Sequence, residues 1–191
     1  MFVFKKKYFL IIESIKDIDF RNIKIRGKFI VIYRNLKKQE EFAELVRFRR
    51  KCKSKKIKFI VANNLPLAVN LRADGIYLSA YNKDYKPLHL KKKNFDVMGS
   101  AHNAKELNHK IKQGCKYILL SRLFKVNYKE NLNFLGICKF NNYSLISKKK
   151  LVPLGGINIS NLNKLKTVNS ECFAIMTEVK KKPAKIFSRL F

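Results

Sequence analysis

Eight short apolar runs recur along this chain, and their regular recurrence constrains the fold more than any other feature. They read YFLII from Tyr8, KFIVIY from Lys28, KFIVA from Lys58, GIYLS from Gly75, DVMGSA from Asp96, YILLS from Tyr117, LVPLGG from Leu151 and CFAIM from Cys172. Each is rich in branched and aromatic residues and continuous rather than alternating, the pattern of parallel strands covered on both faces. Polar or amphipathic stretches separate them. In KQEEFAELVRFRRKCKSK the residues Phe42, Leu45, Val46 and Arg49 follow helical spacing, and NAKELNHKIKQG ends on Gly114, suited to the left-handed residue that closes a helix. Weaker helical signals follow Leu65, Asn131, Ser160 and Pro183. Eight strand and helix units in 191 residues predict a (β/α)8 barrel, shorter than the usual ~250 residues, as one domain over residues 1–191. Because several connecting helices look short, an open doubly wound parallel sheet is the alternative.

Composition narrows the function classes. A hydrophobic share of 47% suffices for one substantial core. The formal net charge of +30 has two readings, a lysine-rich solvated surface set by composition or a polyanion-binding face. The excess spreads from Lys5 to Lys185 beside abundant Ile, Asn, Phe and Tyr. Its runs, Lys5-Lys6-Lys7, Lys91-Lys92-Lys93, Lys148-Lys149-Lys150 and Lys180-Lys181-Lys182, fall between the periodic segments. None is interleaved with aromatics like an RNA-binding sheet motif, so only non-specific contact with nucleic acid is expected. Cys52, Cys115, Cys138 and Cys172 are scattered without a Cys-x-x-Cys pair, which argues against a metal cluster or disulfide framework and for a reducing cytoplasm. The apolar stretch Tyr8 to Ile12 is too brief for a signal or spanning segment, so a soluble, unprocessed protein without a membrane partner is expected.

One turn stands out chemically. KLVPLGGINISNLNKL, residues 150–165, runs a strand into Gly155 and Gly156 and then toward a helix with Ser160 at the capping position. Free backbone N–H groups and a helix start can meet an anion there, although a plain tight turn gives the same pattern. In a barrel this turn follows the seventh strand, and Thr177 closes the eighth, which is where such barrels commonly hold a phosphate.

With these elements in place, the chain resembles the thiamine-phosphate synthase and TenI family of (β/α)8 barrels. The resemblance rests on NNLPLAVNLRADGIYLS at 63–79, GSAHNAKEL at 99–107, GCKYILLSRLF at 114–124 and PLGGINISNL at 153–162, and covers roughly residues 28–179. It implies a thiamine-biosynthesis role. Synthases of this family join a pyrimidine diphosphate to a thiazole phosphate, TenI-type members act as thiazole tautomerases, and both hold thiazole phosphate at the loops after strands seven and eight.

Carried over residue by residue, the family pattern is only partly kept. The alternating Gln, Arg and Lys of strand two fall on Ile32, Arg34 and Leu36, leaving only the Arg. The Asn-Asp after strand three falls on Ala62 and Asn63, and the second metal-binding Asp falls on Asn82. A neutral amide offers magnesium little charge, so no cofactor is certain and magnesium is expected to bind weakly or not at all, unless Asp84 compensates. The Thr-Pro-Thr-Lys loop becomes Val126, Asn127, Tyr128 and Lys129. Ser100 and His102, Lys129, the Gly155-Gly156 turn and Thr177 survive as candidate phosphate or substrate contacts.

His102 is the candidate proton-transfer residue, or else a cap for the helix entering at Asn103. Arg34 either meets an anionic substrate or pairs with Glu13. Asp74 is expected to stabilise a turn, His89 and His109 to lie on the surface, and Tyr77, Tyr81 and Tyr85 to be core or rim aromatics. Three functions remain: a divergent synthase or tautomerase-like enzyme, a non-catalytic barrel for a phosphate ligand, and a basic RNA-associated protein. Evenly spread charge predicts RNA binding that ignores sequence and vanishes near ~150 mM salt. Gel-shift titrations across RNA sequences and salt concentrations check this; sequence-dependent binding retained at that salt would favour the RNA-associated reading.

Overall fold

Each apolar run sends alternate side chains to opposite faces, and the fold uses both faces. The computed structural model describes residues 6–23, 27–35, 40–90, 94–126 and 133–176. Its strands are β1 (Lys7–Ile12), β2 (Phe29–Tyr33), β3 (Lys58–Ala62), β4 (Gly75–Leu78), β5 (Asp96–Ala101), β6 (Tyr117–Ser121), β7 (Lys150–Leu154) and β8 (Cys172–Ile175). All eight fall on the eight apolar runs. They pair in parallel and in sequence order, and β8 returns to β1 with Lys7 opposite Cys172 and Leu10 opposite Ile175. The sheet is therefore a closed barrel, and the open doubly wound alternative is excluded.

Parity along the strands divides the core in two. Phe9, Ile11, Ile32, Ile60, Met98 and Leu119 are among the side chains that fill the barrel. Their neighbours Tyr8, Leu10, Val31, Phe59, Ile118 and Phe173 point outward beneath the helices. A strand buried on both sides has no polar face, which is why the runs read as continuous apolar sequence.

The helices are α1 (Phe42–Ser54), α2 (Leu65–Asn70), α3 (Pro87–Leu90), α4 (Ala104–Lys112) and α5 (Gly136–Ile146). Helix α1 buries Leu45, Phe48 and Cys52, while Phe42 is half exposed, so its apolar face is shifted from the one expected. Phe48 packs on Phe59 with ring centroids 5.7 Å apart. Gly114 follows α4 at φ +72°, as its position predicted. Ser160 does not cap an α-helix. The chain instead forms a 3-10 turn over Leu162–Thr167 preceded by Asn161. The Asn158 and Asn161 amides draw this segment tight, with Asn161 Nδ2 donating to the Gly156 carbonyl at 2.7 Å and Ser160 Oγ to Asn158 Oδ1 at 2.6 Å. The expected helix starts after Asn131 and Pro183 lie outside the described residues, although α5 follows shortly after the first.

Charges tie the opposite end of the barrel. Asp74 accepts from Arg49 at 2.9 Å and from the Phe59 N–H at 2.8 Å, tying the segment before β4 to α1 and β3. Asp96, at the start of β5, receives both Lys58 and Lys116. Cys52, Cys115, Cys138 and Cys172 are all free thiols. No helix among the described residues is long and apolar enough to cross a membrane.

Phe140 is the one fully buried residue of α5 among those described, with Ile137 and Tyr143 packed partly buried against the same core. Phe140→Ala should lower stability by about 3–5 kcal/mol, the usual result of emptying a fully buried phenyl site. Urea unfolding followed by circular dichroism measures this.

Candidate functional site

Two residues beyond the last full apolar layer, the inward positions change character. The same parity that places Ile32, Tyr77, Met98 and Leu119 inside the barrel brings Arg34, Ser79, Ser100 and Ser121 to its C-terminal mouth. There they line a cavity of about 330 Å3 together with His102, Arg122 and the Gly155-Gly156 turn. The three serines are nearly inaccessible to bulk water, at 4%, 6% and 8% exposure. They stand at or next to the C-terminal ends of three consecutive strands, β4 to β6. Tyr77 forms part of the cavity wall. Burial pushes its phenol pKa up, while the Ser100 hydroxyl bond and the Arg34 charge act in the opposite direction.

Arg34 follows β2 and its N–H donates to the Ile12 carbonyl at 2.8 Å. It forms no ion pair with Glu13. Its Nε is buried without a hydrogen-bond partner among the described residues, and the same holds for Arg122 Nε. A buried donor left unpaired is costly, more so on a cation. Sequence reasoning overlooked Arg122, although it follows β6 as Arg34 follows β2.

The two glycines have separate reasons. Gly155 at φ +92° and Gly156 at φ +69° occupy backbone conformations that side chains disfavour. A Cβ on Gly155 would meet Arg122 Cγ at 2.9 Å, and one on Gly156 would meet the carbonyl oxygens of Phe124 and Lys125 at 2.5 and 2.6 Å. What comes close to this turn is thus the chain after β6. The Gly156 and Ile157 N–H groups nevertheless donate to no described residue, so the turn retains free donors at the cavity.

His102 lies at the cavity rim, but Asn103, not His102, caps α4, its Oδ1 accepting from Glu106 N–H at 2.9 Å. Glu106 reaches back instead. Its Oε2 accepts from the His102 N–H at 2.7 Å and contacts His102 Nδ1 at 2.9 Å. With the proton on Nδ1 and shared with the carboxylate, Nε2 is left as the basic nitrogen. His89 is exposed as expected. His109 is only half exposed, because its ring packs edge-on to Tyr85 at 5.4 Å. Tyr81 is a rim aromatic at 74% exposure. Lys129 and Thr177 lie outside the described residues.

Asn63 and Asn82 do not line the cavity. Asn63 Oδ1 accepts from Ser79 N–H at 2.9 Å and from Asn82 Nδ2 at 3.1 Å, so one amide donates to the other. Asp84 Oδ1 is occupied by the Lys86 N–H at 2.9 Å. Beneath this loop the fully buried Lys110 donates to the Asn82 carbonyl at 2.7 Å and to Gln113 Oε1 at 2.8 Å. Gln113 Nε2 adds a bond to the Asp84 carbonyl at 2.7 Å. Among the described residues no cluster of three His, Cys, Asp or Glu can hold a metal ion, and the cavity lining contains no carboxylate. The residues present therefore do not fit the magnesium site that the resemblance implies.

The architecture is that of a (β/α)8 barrel with its site at the C-terminal mouth. Residues 10–179 match the family model described as thiamine monophosphate synthase, and the chain belongs to that family. It is 30% identical over 132 residues to a thiamine-phosphate synthase of Prochlorococcus marinus, an alignment covering 67% of this chain and 37% of that protein. It therefore spans well under half the length of that relative. A thiamine-phosphate synthase of Dictyoglomus turgidum is 28% identical over 180 residues, covering 88% of this chain and 78% of that one. Thiamine phosphate pyrophosphorylase from Pyrococcus furiosus superposes with a TM-score of 0.72 at 18% identity over 97% of both chains, a likeness of fold.

The Glu106 contact has a pH signature. Burial alone would raise its pKa, but the His102 backbone and ring bonds outweigh this and hold it below the ordinary 4.5. A carboxylate whose folded pKa is depressed stabilises the protein above its unfolded pKa and loses that contribution as pH falls through the folded value. Glu106→Gln should therefore be less stable than the parent above about pH 4.5, the gap closing at lower pH. Thermal melts of both proteins across pH 2–7 measure it.

Proposed function

We propose that this chain is a divergent member of its family that binds thiazole phosphate at the barrel mouth, with its magnesium-diphosphate site degraded. The observation that carries the reading is the cavity at the C-terminal strand ends, lined by Arg34, buried serine hydroxyls and the Gly155-Gly156 turn but by no carboxylate. Free N–H groups of that turn suit phosphate oxygens. The neutral amides at Asn63 and Asn82, the second donating to the first, support loss of metal-dependent coupling.

The chemistry that remains is proton transfer. His102 Nε2 takes a proton from one carbon of the bound thiazole and a proton is returned at another, a tautomerisation with no net change in composition. Glu106 keeps the proton on Nδ1 and favours the imidazolium that forms transiently. Lys129 and Thr177 are proposed as further phosphate contacts. A non-catalytic barrel with the same ligand is the second reading, favoured by the rim position of His102, whose side chain is 43% exposed.

Calorimetric titration with thiazole phosphate should show saturable one-site binding. Magnesium-dependent coupling to pyrimidine diphosphate should be slow or absent, and Asn63→Asp with Asn82→Asp should raise it. His102→Gln should retain ligand affinity while slowing thiazole tautomerisation at least ~100-fold. Robust magnesium-dependent coupling by the unaltered protein would refute the degenerate-site reading. Binding without measurable tautomerisation would favour the non-catalytic one.

A further inference from the structure

The cavity raises an electrostatic question that its proposed ligand alone does not answer. In a magnesium-dependent site a divalent cation neutralises the phosphoryl oxygens and carboxylates hold the cation. Here the lining offers no carboxylate, and the positions for metal ligands are two amides bonded to each other. The lining does contain two guanidinium groups, Arg34 after β2 and Arg122 after β6. In a closed barrel of eight strands paired in order, β2 and β6 stand opposite each other. Two fixed cations therefore face one cavity from opposite sides.

Both are incompletely satisfied. The Nε of each arginine is buried without a hydrogen-bond partner, and neither arginine belongs to an ion pair, among the described residues. Burying guanidinium donors without acceptors is unfavourable, so their retention points to an acceptor supplied from outside the chain. The placement of Arg122 is also accommodated by its neighbour. Gly155 leaves the space its side-chain stem occupies, since a Cβ there would stand 2.9 Å from Arg122 Cγ and 3.1 Å from its Cβ. Around the two cations, Ser79, Ser100 and Ser121 bring buried hydroxyls to the same cavity.

We infer that Arg122 and Arg34 form a metal-independent site for a phosphoryl group, with Arg122 as its specificity-determining contact. The inference rests on the reading of this cavity as a phosphate-ester site and names what replaces the divalent cation there. A guanidinium fork matches phosphate oxygens in a paired geometry and stays charged at all relevant pH. Charge neutralisation is then covalently part of the fold and does not depend on metal supply. Because the groups approach from opposite sides, the site selects a compact dianion such as a phosphate monoester or diphosphate end over a carboxylate.

Calorimetric titration with inorganic pyrophosphate and, separately, thiazole phosphate tests this in EDTA and in magnesium. The unaltered protein should bind with the same affinity in both buffers. Arg122→Gln should weaken binding at least tenfold and Arg122→Lys by less, whereas the exposed Lys148→Gln should leave it unchanged and so exclude adsorption to the basic surface. Circular dichroism melts establish that the variants fold; should Arg122→Gln not fold, Arg34→Gln reads the same site. Binding that requires magnesium, or that survives Arg122→Gln in full, overturns the inference. If pyrophosphate binds through Arg122 in EDTA while thiazole phosphate does not bind at all, the substrate reading fails and the two-arginine site stands. If thiazole phosphate binds equally well to Arg122→Gln and the parent, the reverse holds.

Discussion

The structure depends on the apolar filling of a closed eight-stranded barrel. Phe9, Ile11, Ile32, Ile60, Met98 and Leu119 fill its interior with apolar side chains, among which an unpaired polar group would be costly. Any polar inward-facing residue must therefore sit at an end, where loops and solvent can satisfy it. At one end Asp74 and Asp96 are paired with Arg49, Lys58 and Lys116. At the other, Arg34 and the serines face a cavity whose donors the described protein does not fully use. The first arrangement serves stability and the second leaves capacity for a ligand.

Around the loop after β4 the amides at the candidate metal positions bond within the protein. Asn63 and Asn82 bond to one another, and the buried Lys110 and Gln113 hold the following carbonyls from below. Lys110 has no carboxylate partner in this network, and burial depresses its pKa. Its stem lies against Gly99, where a Cβ would stand 2.8 Å from Lys110 Cδ. Among the described residues this loop is therefore held by amide, carbonyl and lysine amine groups.

Several features are legible in the chain of residues alone. The eight strands and the helical span ending on Gly114 follow from local pattern, because period and glycine placement are local properties. Serines at or next to the ends of GIYLS, DVMGSA and YILLS are visible in the sequence, yet only the closed sheet brings them around one cavity. Arg122 is equally visible, but nothing in its local sequence marks it as a site residue. Its partner across the mouth lies 88 positions earlier (122 − 34), a separation that no local window connects.

By itself the sequence determined the number and order of the strands, their parallel character and the two-residue parity that carries Arg34 and the three serines to the mouth. It also determined that the candidate metal positions hold amides. Only the tertiary structure decided that the sheet closes, that the Gly155-Gly156 turn packs against the chain after β6, and that Glu106 holds His102 Nδ1. Closure is the physical reason. The bonds between β1 and β8 join segments from opposite ends of the sequence, and those bonds bring residues on opposite strands around one cavity.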